Sequence, residues 1–212
     1  MSTARPMSPV RSGSSAFSEV DPRFAHPSYV IKRPWFSWFE RTFRVFSPEG
    51  TLALFVRHPI MKLRGEWQVF GDEAKTEALL RVKAQQVVAL NYVYDITDAQ
   101  TGAHVGGVRT KGLKSIIRDS MEILSPDGNV IGHVIEKGAS LLRRFLPFLT
   151  SKHDIEIDGR VVATVRQKFR FFIKEFRVEV PPAADGAPAI DPRLVLTCAL
   201  LALLNEAHRE GG

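Results

Sequence analysis

From Ser28 to Val180 the hydrophobic pattern has a period of two, the period of strands with one buried face. Asp154-Ile155-Glu156-Ile157-Asp158 alternates cleanly, and so does Phe176-Arg177-Val178-Glu179-Val180. Trp67 and Val69 alternate with Glu66 and Gln68, and Met121 and Ile123 flank Glu122. Residues 51–57 and 160–166 are richer in apolar side chains, which predicts strands covered on both faces. Turn signals separate the runs. Ser47-Pro48-Glu49-Gly50 and Ser125-Pro126-Asp127-Gly128 carry Pro and Gly where a type I turn followed by a left-handed residue needs them. Asp158-Gly159 is a two-residue hairpin signal, and Asp98 to Gly102 a longer one. About twelve strands follow, near 28–32, 41–46, 51–57, 66–71, 77–83, 87–95, 103–111, 119–124, 130–136, 153–157, 160–167 and 171–180.

The pattern then breaks. After the loop Pro181–Pro188, Asp191-Pro192 begins a segment that is apolar on every side from Leu194 to Leu204. Asp191 suits an N-cap and Pro192 the first helical position. A helix without a polar face must be enclosed on all sides. Its apolar run spans roughly 16 Å at 1.5 Å per residue, against a bilayer core of about 30 Å, so no transmembrane span is expected. A barrel of about a dozen strands encloses more space than its own side chains fill. The expected fold is therefore mainly β, an antiparallel closed barrel around a central helix near 192–208, in one domain over residues 28–208.

Two segments depart from the strand pattern. Residues 1–27 are rich in Ser, Pro and Arg and read as a disordered tail with no secretory signal. Residues 137–151, KGASLLRRFLPFLTS, have helical spacing broken by Pro147 and predict a short helix across the outside of the sheet. The hairpin around Ser47–Gly50 is echoed 78 residues later around Ser125–Gly128, which suggests duplication of a meander. Gly106-Gly107, in mid-strand, predicts a bulge or a close approach rather than a phosphate cradle.

The repeated Ser-Pro-(Glu/Asp)-Gly hairpins, the Gly/Pro loop, Asp191-Pro192-Arg193-Leu194 and the terminal apolar helix together resemble the LURP-one-related and phospholipid-scramblase-like group. Val165-Arg166-Gln167-Lys168-Phe169 and Leu203-Leu204-Asn205-Glu206 add to the resemblance, which covers about Ser28 to Ala207. It implies the tubby C-terminal-like fold and a relation to anionic lipid: phosphoinositide binding on the barrel, or calcium-dependent lipid movement. The chain departs from the scramblase pattern in the loop before the helix. That loop has only Asp185 and Asp191 as carboxylates, whereas calcium takes 6–8 oxygens. The clustered cysteines that carry acyl chains in scramblases are also missing.

Charge points the same way. Lys and Arg number 29 against 23 Asp and Glu, a net of +6, which favours anionic partners. The densest basic run is Arg166, Lys168, Arg170, Lys174 and Arg177, interleaved with Phe169, Phe171, Phe172 and Phe176. Arg166, Lys168, Arg170 and Lys174 are the candidate ligands of an anionic phospholipid or phosphoinositide headgroup. The plainer reading is a strand with its phenylalanines in the core and its cations in water. Nucleic acid, which also uses cations and aromatic platforms, is the weaker match. Trp35, Phe36, Trp38 and Phe39 either close one end of the barrel or dip into the headgroup region.

No catalytic pattern emerges. The six histidines lack metal-ligand spacing, and no nucleophile elbow is present. The single cysteine, Cys198, lies within the apolar helix and reads as a small buried filler. No metal, cofactor or enzymatic activity is expected. The sequence thus predicts a cytoplasmic, lipid-responsive barrel with peripheral membrane contact, or alternatively a soluble protein-interaction or scaffold module.

Overall fold

The computed structural model describes residues 20–34, 40–59, 65–88, 91–110, 120–137, 151–168, 170, 173–182 and 190–210. Twelve strands are joined each to the next: β1 (Ser28–Pro34), β2 (Glu40–Phe46), β3 (Leu52–Pro59), β4 (Glu66–Phe70), β5 (Ala78–Val88), β6 (Asn91–Asp98), β7 (His104–Thr110), β8 (Ser120–Leu124), β9 (Val130–Glu136), β10 (Lys152–Ile157), β11 (Arg160–Lys168) and β12 (Ile173–Glu179). Every pairing is antiparallel, and β12 returns to pair with β1, so the sheet closes as an up-and-down barrel. Closure leaves no edge strand. The helix α1 (Pro192–Glu210) then runs through the barrel, about 28 Å long at 1.5 Å per residue.

The barrel and the enclosed helix match expectation because the two periods force each other. Alternate residues of the strands point inward: Tyr29, Ile31, Phe43, Val45, Leu54, Val69, Leu80, Ile96, Ile123, Ile155, Phe176 and Val178 are all essentially inaccessible. They surround Leu194 through Leu204, of which every residue is buried. The Asp191 carboxylate accepts from the Arg193 backbone N–H at 2.9 Å, the N-cap that the sequence indicates. Thr197, the one polar side chain within the run, donates its hydroxyl to the Arg193 carbonyl at 2.8 Å and so needs no outside partner. Burial pushes the Cys198 thiol well above its ordinary value, which suits a filler and not a nucleophile.

The two echoed hairpins are built alike. Gly50 donates its backbone N–H to the Ser47 carbonyl at 3.0 Å, and Gly128 donates to Ser125 at 2.9 Å. Both glycines have positive φ, +85° and +80°. The turns join β2 to β3 and β8 to β9, on opposite sides of the barrel, as a duplicated half-barrel requires. Asp158 and Gly159, at φ of 50° and 73°, form the expected two-residue turn.

Three details differ from expectation. The strand predicted to begin at 87 begins at Asn91, because β5 continues to Val88 and pairs there with Asn91. Ala84, Gln85 and Gln86 contain no turn former, so nothing stops the strand earlier. Burial on both faces holds for β3, where Ala53 through Val56 are all buried, but not for β11. A bulge opposite Ile155 and Glu156 turns Val161 outward, where it is 41% exposed. Finally, residues 20–27 do not belong to a tail. Pro22–Phe24 form a 3-10 turn, Phe24 is buried in the core, and Arg23 bridges Asp21 at 2.6 Å and Glu77 at 2.7 Å. The expected helix over 137–151 lies almost wholly outside the described residues.

Gly106 sits where the register shifts between β6 and β7. Its φ is +141°, and a Cβ there would lie 2.6 Å from the Leu124 carbonyl oxygen and 3.2 Å from Leu194 of the helix. Gly106→Ala is expected to cost about 1–3 kcal/mol, the usual cost of a side chain forced into such a conformation. A lower urea midpoint would register it, and an unchanged midpoint would mean that the strand can yield.

Candidate basic face and polar interior

The outside of β10, β11, β12 and β1 carries the candidate ligands. In antiparallel sheets directly opposed residues share a face, with Cα atoms about 4.5–5.5 Å apart. Lys152 of β10 opposes Arg166 of β11, and Arg166 opposes Arg177 of β12. Three cations thus stand side by side across three strands. One row along, Lys168 opposes Glu175, and Glu175 opposes Lys32 of β1. Arg166, Lys168 and Arg177 are exposed. They have no carboxylate partner among the described residues. Lys152 lies 3.7 Å from Asp154, a carboxylate it shares with Lys137. Arg170 approaches Glu175 at 3.6 Å, with its side chain 62% exposed. Lys32 lies over the Phe46 ring, 5.0 Å from its centroid.

The structure separates Lys174 from the other three candidates. Arg166, Lys168 and Arg170 share the outside, whereas Lys174 is only 7% exposed and shares the inward face of β12 with Phe176 and Val178. It opposes Arg33 of β1, also buried, near the C-terminal half of α1. In exchange Lys152 and Lys32 join the outer group. They are distant in sequence from Arg166, and only the strand register makes them neighbours.

Lys174 belongs instead to a polar cluster inside the barrel. The buried Glu206 of α1 lies 3.3 Å from His153 Nε2. Burial works to raise the Glu206 pKa, but the His153 contact, the Ser151 hydroxyl and the Lys174 charge outweigh it and hold the carboxyl below its ordinary range. Arg41 donates to His208 Nδ1 at 3.0 Å, a direction fixed because a guanidinium cannot accept. Burial, together with the Arg41 charge, pushes the His208 pKa down. A cavity of about 10 Å³ beside Arg41, His58, Trp67 and His208 holds a single water at most. It cannot take a substrate.

Among the described residues no three His, Cys, Asp or Glu side chains gather as metal ligands. No helix of the described residues is long and apolar enough to cross a membrane. Residues 183–189, most of the loop before the helix, lie outside the described residues, and so does the cluster Trp35, Phe36, Trp38 and Phe39.

A solved structure has a similar fold. It is a crystal structure of a protein from Arabidopsis thaliana, with a TM-score of 0.50 at 13% identity, covering 89% of this chain and 96% of that one. At that identity the likeness establishes the fold alone. No family model matches the chain. No curated protein matches it either.

Proposed function

We propose that this chain is a non-enzymatic barrel of the LURP-one-related or scramblase-like type that holds an anionic lipid headgroup, a phosphoinositide or another acidic phospholipid, on its basic outer face. The observation that carries the reading is the row Lys152–Arg166–Arg177. Like charges directly opposed across strands destabilise a sheet, and an anionic ligand turns that repulsion into attraction. Arg166 and Arg177 offer planar forks suited to phosphate oxygens, with Lys168 and Arg170 beside them. The protein would then work at the cytoplasmic surface of a membrane without spanning it.

Co-sedimentation with vesicles tests this. Each cation close to an anionic membrane contributes about 1 kcal/mol of attraction. Arg166→Glu/Lys168→Glu, on an exposed face, is expected to keep the fold and lose more than about tenfold in partitioning to phosphatidylserine or phosphoinositide vesicles, from at least about 2 kcal/mol of lost attraction. Raised salt should weaken wild-type binding in parallel. Equal binding of both proteins, or equal binding to neutral vesicles, would overturn the reading. Absence of binding to every vesicle would leave the alternative, a protein-interaction module.

A further inference from the structure

The outer face of β10, β11, β12 and β1 carries carboxylates among its cations. Among the described residues they are Asp154, Glu156, Glu175 and Glu179. The first three are compensated. Asp154 lies 2.6 Å from the Lys137 ammonium, and Glu156 lies 3.5 Å from the same group. Glu175 lies 3.6 Å from Arg170 and stands between the opposed Lys168 and Lys32. Glu179 differs from all of these. It is exposed, the residues opposite it are the uncharged Thr164 and Ser28, and no cation pairs with it among the described residues.

The strand register sets this carboxylate beside the two arginines of the basic row. Arg177 lies two residues earlier on the same face of β12, which separates the Cα atoms by about 6.6–6.8 Å. Arg166 opposes Arg177 while Thr164 opposes Glu179, so Arg166 is the diagonal neighbour of Glu179, about 7–8 Å away. Long side chains meet across such a diagonal, yet Glu179 bridges neither arginine. Two guanidinium forks and one carboxylate thus share a small exposed triangle, and none of the three is neutralised by a described neighbour.

We propose that this triangle recognises the phosphoserine headgroup of phosphatidylserine. The assignment rests on the headgroup reading above and selects one lipid among the acidic ones. A phosphoserine headgroup carries a phosphate, a carboxylate and an ammonium. Arg166 and Arg177 offer forks to its two anions, and Glu179 accepts from its ammonium, so the match runs charge for charge. Inositol and glycerol headgroups, like a nucleic-acid backbone, carry anions and no ammonium. They gain the arginines but leave Glu179 facing a phosphate, and such an unfavourable contact with the competitor is a source of specificity. Lys152 and Lys168, at the border of the triangle, attract any acidic surface and do not discriminate.

The test compares headgroups of equal charge. The full chain is co-sedimented with phosphatidylcholine vesicles that contain the same mole fraction of phosphatidylserine, phosphatidylglycerol or phosphatidylinositol. Each of the three lipids carries one net negative charge, so surface charge alone would bind the protein equally to all. Binding about threefold to fivefold tighter to phosphatidylserine is expected, the range of one well-formed exposed ion pair. Glu179→Gln, at an exposed position, should keep the melting temperature, erase that preference, and raise binding to the phosphatidylglycerol and phosphatidylinositol vesicles. Equal binding of wild type to the three lipids would overturn the phosphoserine assignment and leave the headgroup reading standing. A preference that Glu179→Gln retains would also overturn the assignment, because the ammonium would then be read elsewhere. Failure to co-sediment with any of the vesicles would overturn both.

Discussion

Leu200→Asp is expected to leave the chain unable to fold. Leu200 lies midway along α1, is 1% exposed, and is surrounded by inward-facing strand residues on every side. A carboxylate there has no partner and no route to water. Burying an unpaired polar group costs several kcal/mol, more for a charge, and the total stability of a domain is only about 5–15 kcal/mol. Loss of the cooperative thermal transition, with the protein recovered from the insoluble fraction, is the expected result. A soluble variant with an unchanged melting temperature would mean that α1 can leave the barrel without cost. Such an outcome would contradict a core built around α1, because no other described element fills that space.

The second large effect is expected at the other end of the same helix. Glu206→Leu leaves His153 and Lys174 buried without the carboxylate they face, and breaking a buried charge pair costs about 3–5 kcal/mol. The pH dependence has a definite sign. The Glu206 carboxyl is held below its ordinary value of 4.5 in the folded protein. A depressed folded pKa gives stability that is fully present above the unfolded value and is lost as the pH falls through the folded one. Wild type should therefore lose melting temperature as the pH drops below about 4.5, and Glu206→Gln should show a shallower acid limb. Identical acid limbs would place the destabilising proton elsewhere. Protonating His208, which accepts from Arg41, would act against stability from the same cluster.

The outer face was only partly legible in the chain. Arg166, Lys168 and Arg170 share a parity, and that much of the cluster follows from sequence alone. Lys174 has the same parity in the chain but belongs to the next strand, where it alternates with Phe176 and Val178 on the inward face. Lys152 and Lys32 could not have been found this way. Their nearness to Arg166 and Glu175 exists only once β10, β11, β12 and β1 are in register, and register depends on the bulge beside Ile155 and on the closing pair of β12 with β1. The inner cluster of Glu206, His153 and Lys174 is likewise a meeting of a helix with two strands, and no local spacing encodes it.

Local chemistry determined the elements of this protein. The period-two runs, the Ser-Pro-(Glu/Asp)-Gly turns and the Asp191-Pro192 start each act within a few residues, so strand number, the turns with a Pro or Gly signal and the helix cap are readable without any tertiary contact. The need to surround α1 on all sides even determined closure, because a helix with no polar face permits few other arrangements. Only the tertiary structure decided which elements become neighbours. It placed Phe24 in the core and opposed three cations on one outer row. The reason is that such positions depend on the alternating direction of successive strands and on exact register, both properties of the closed sheet and of no segment within it.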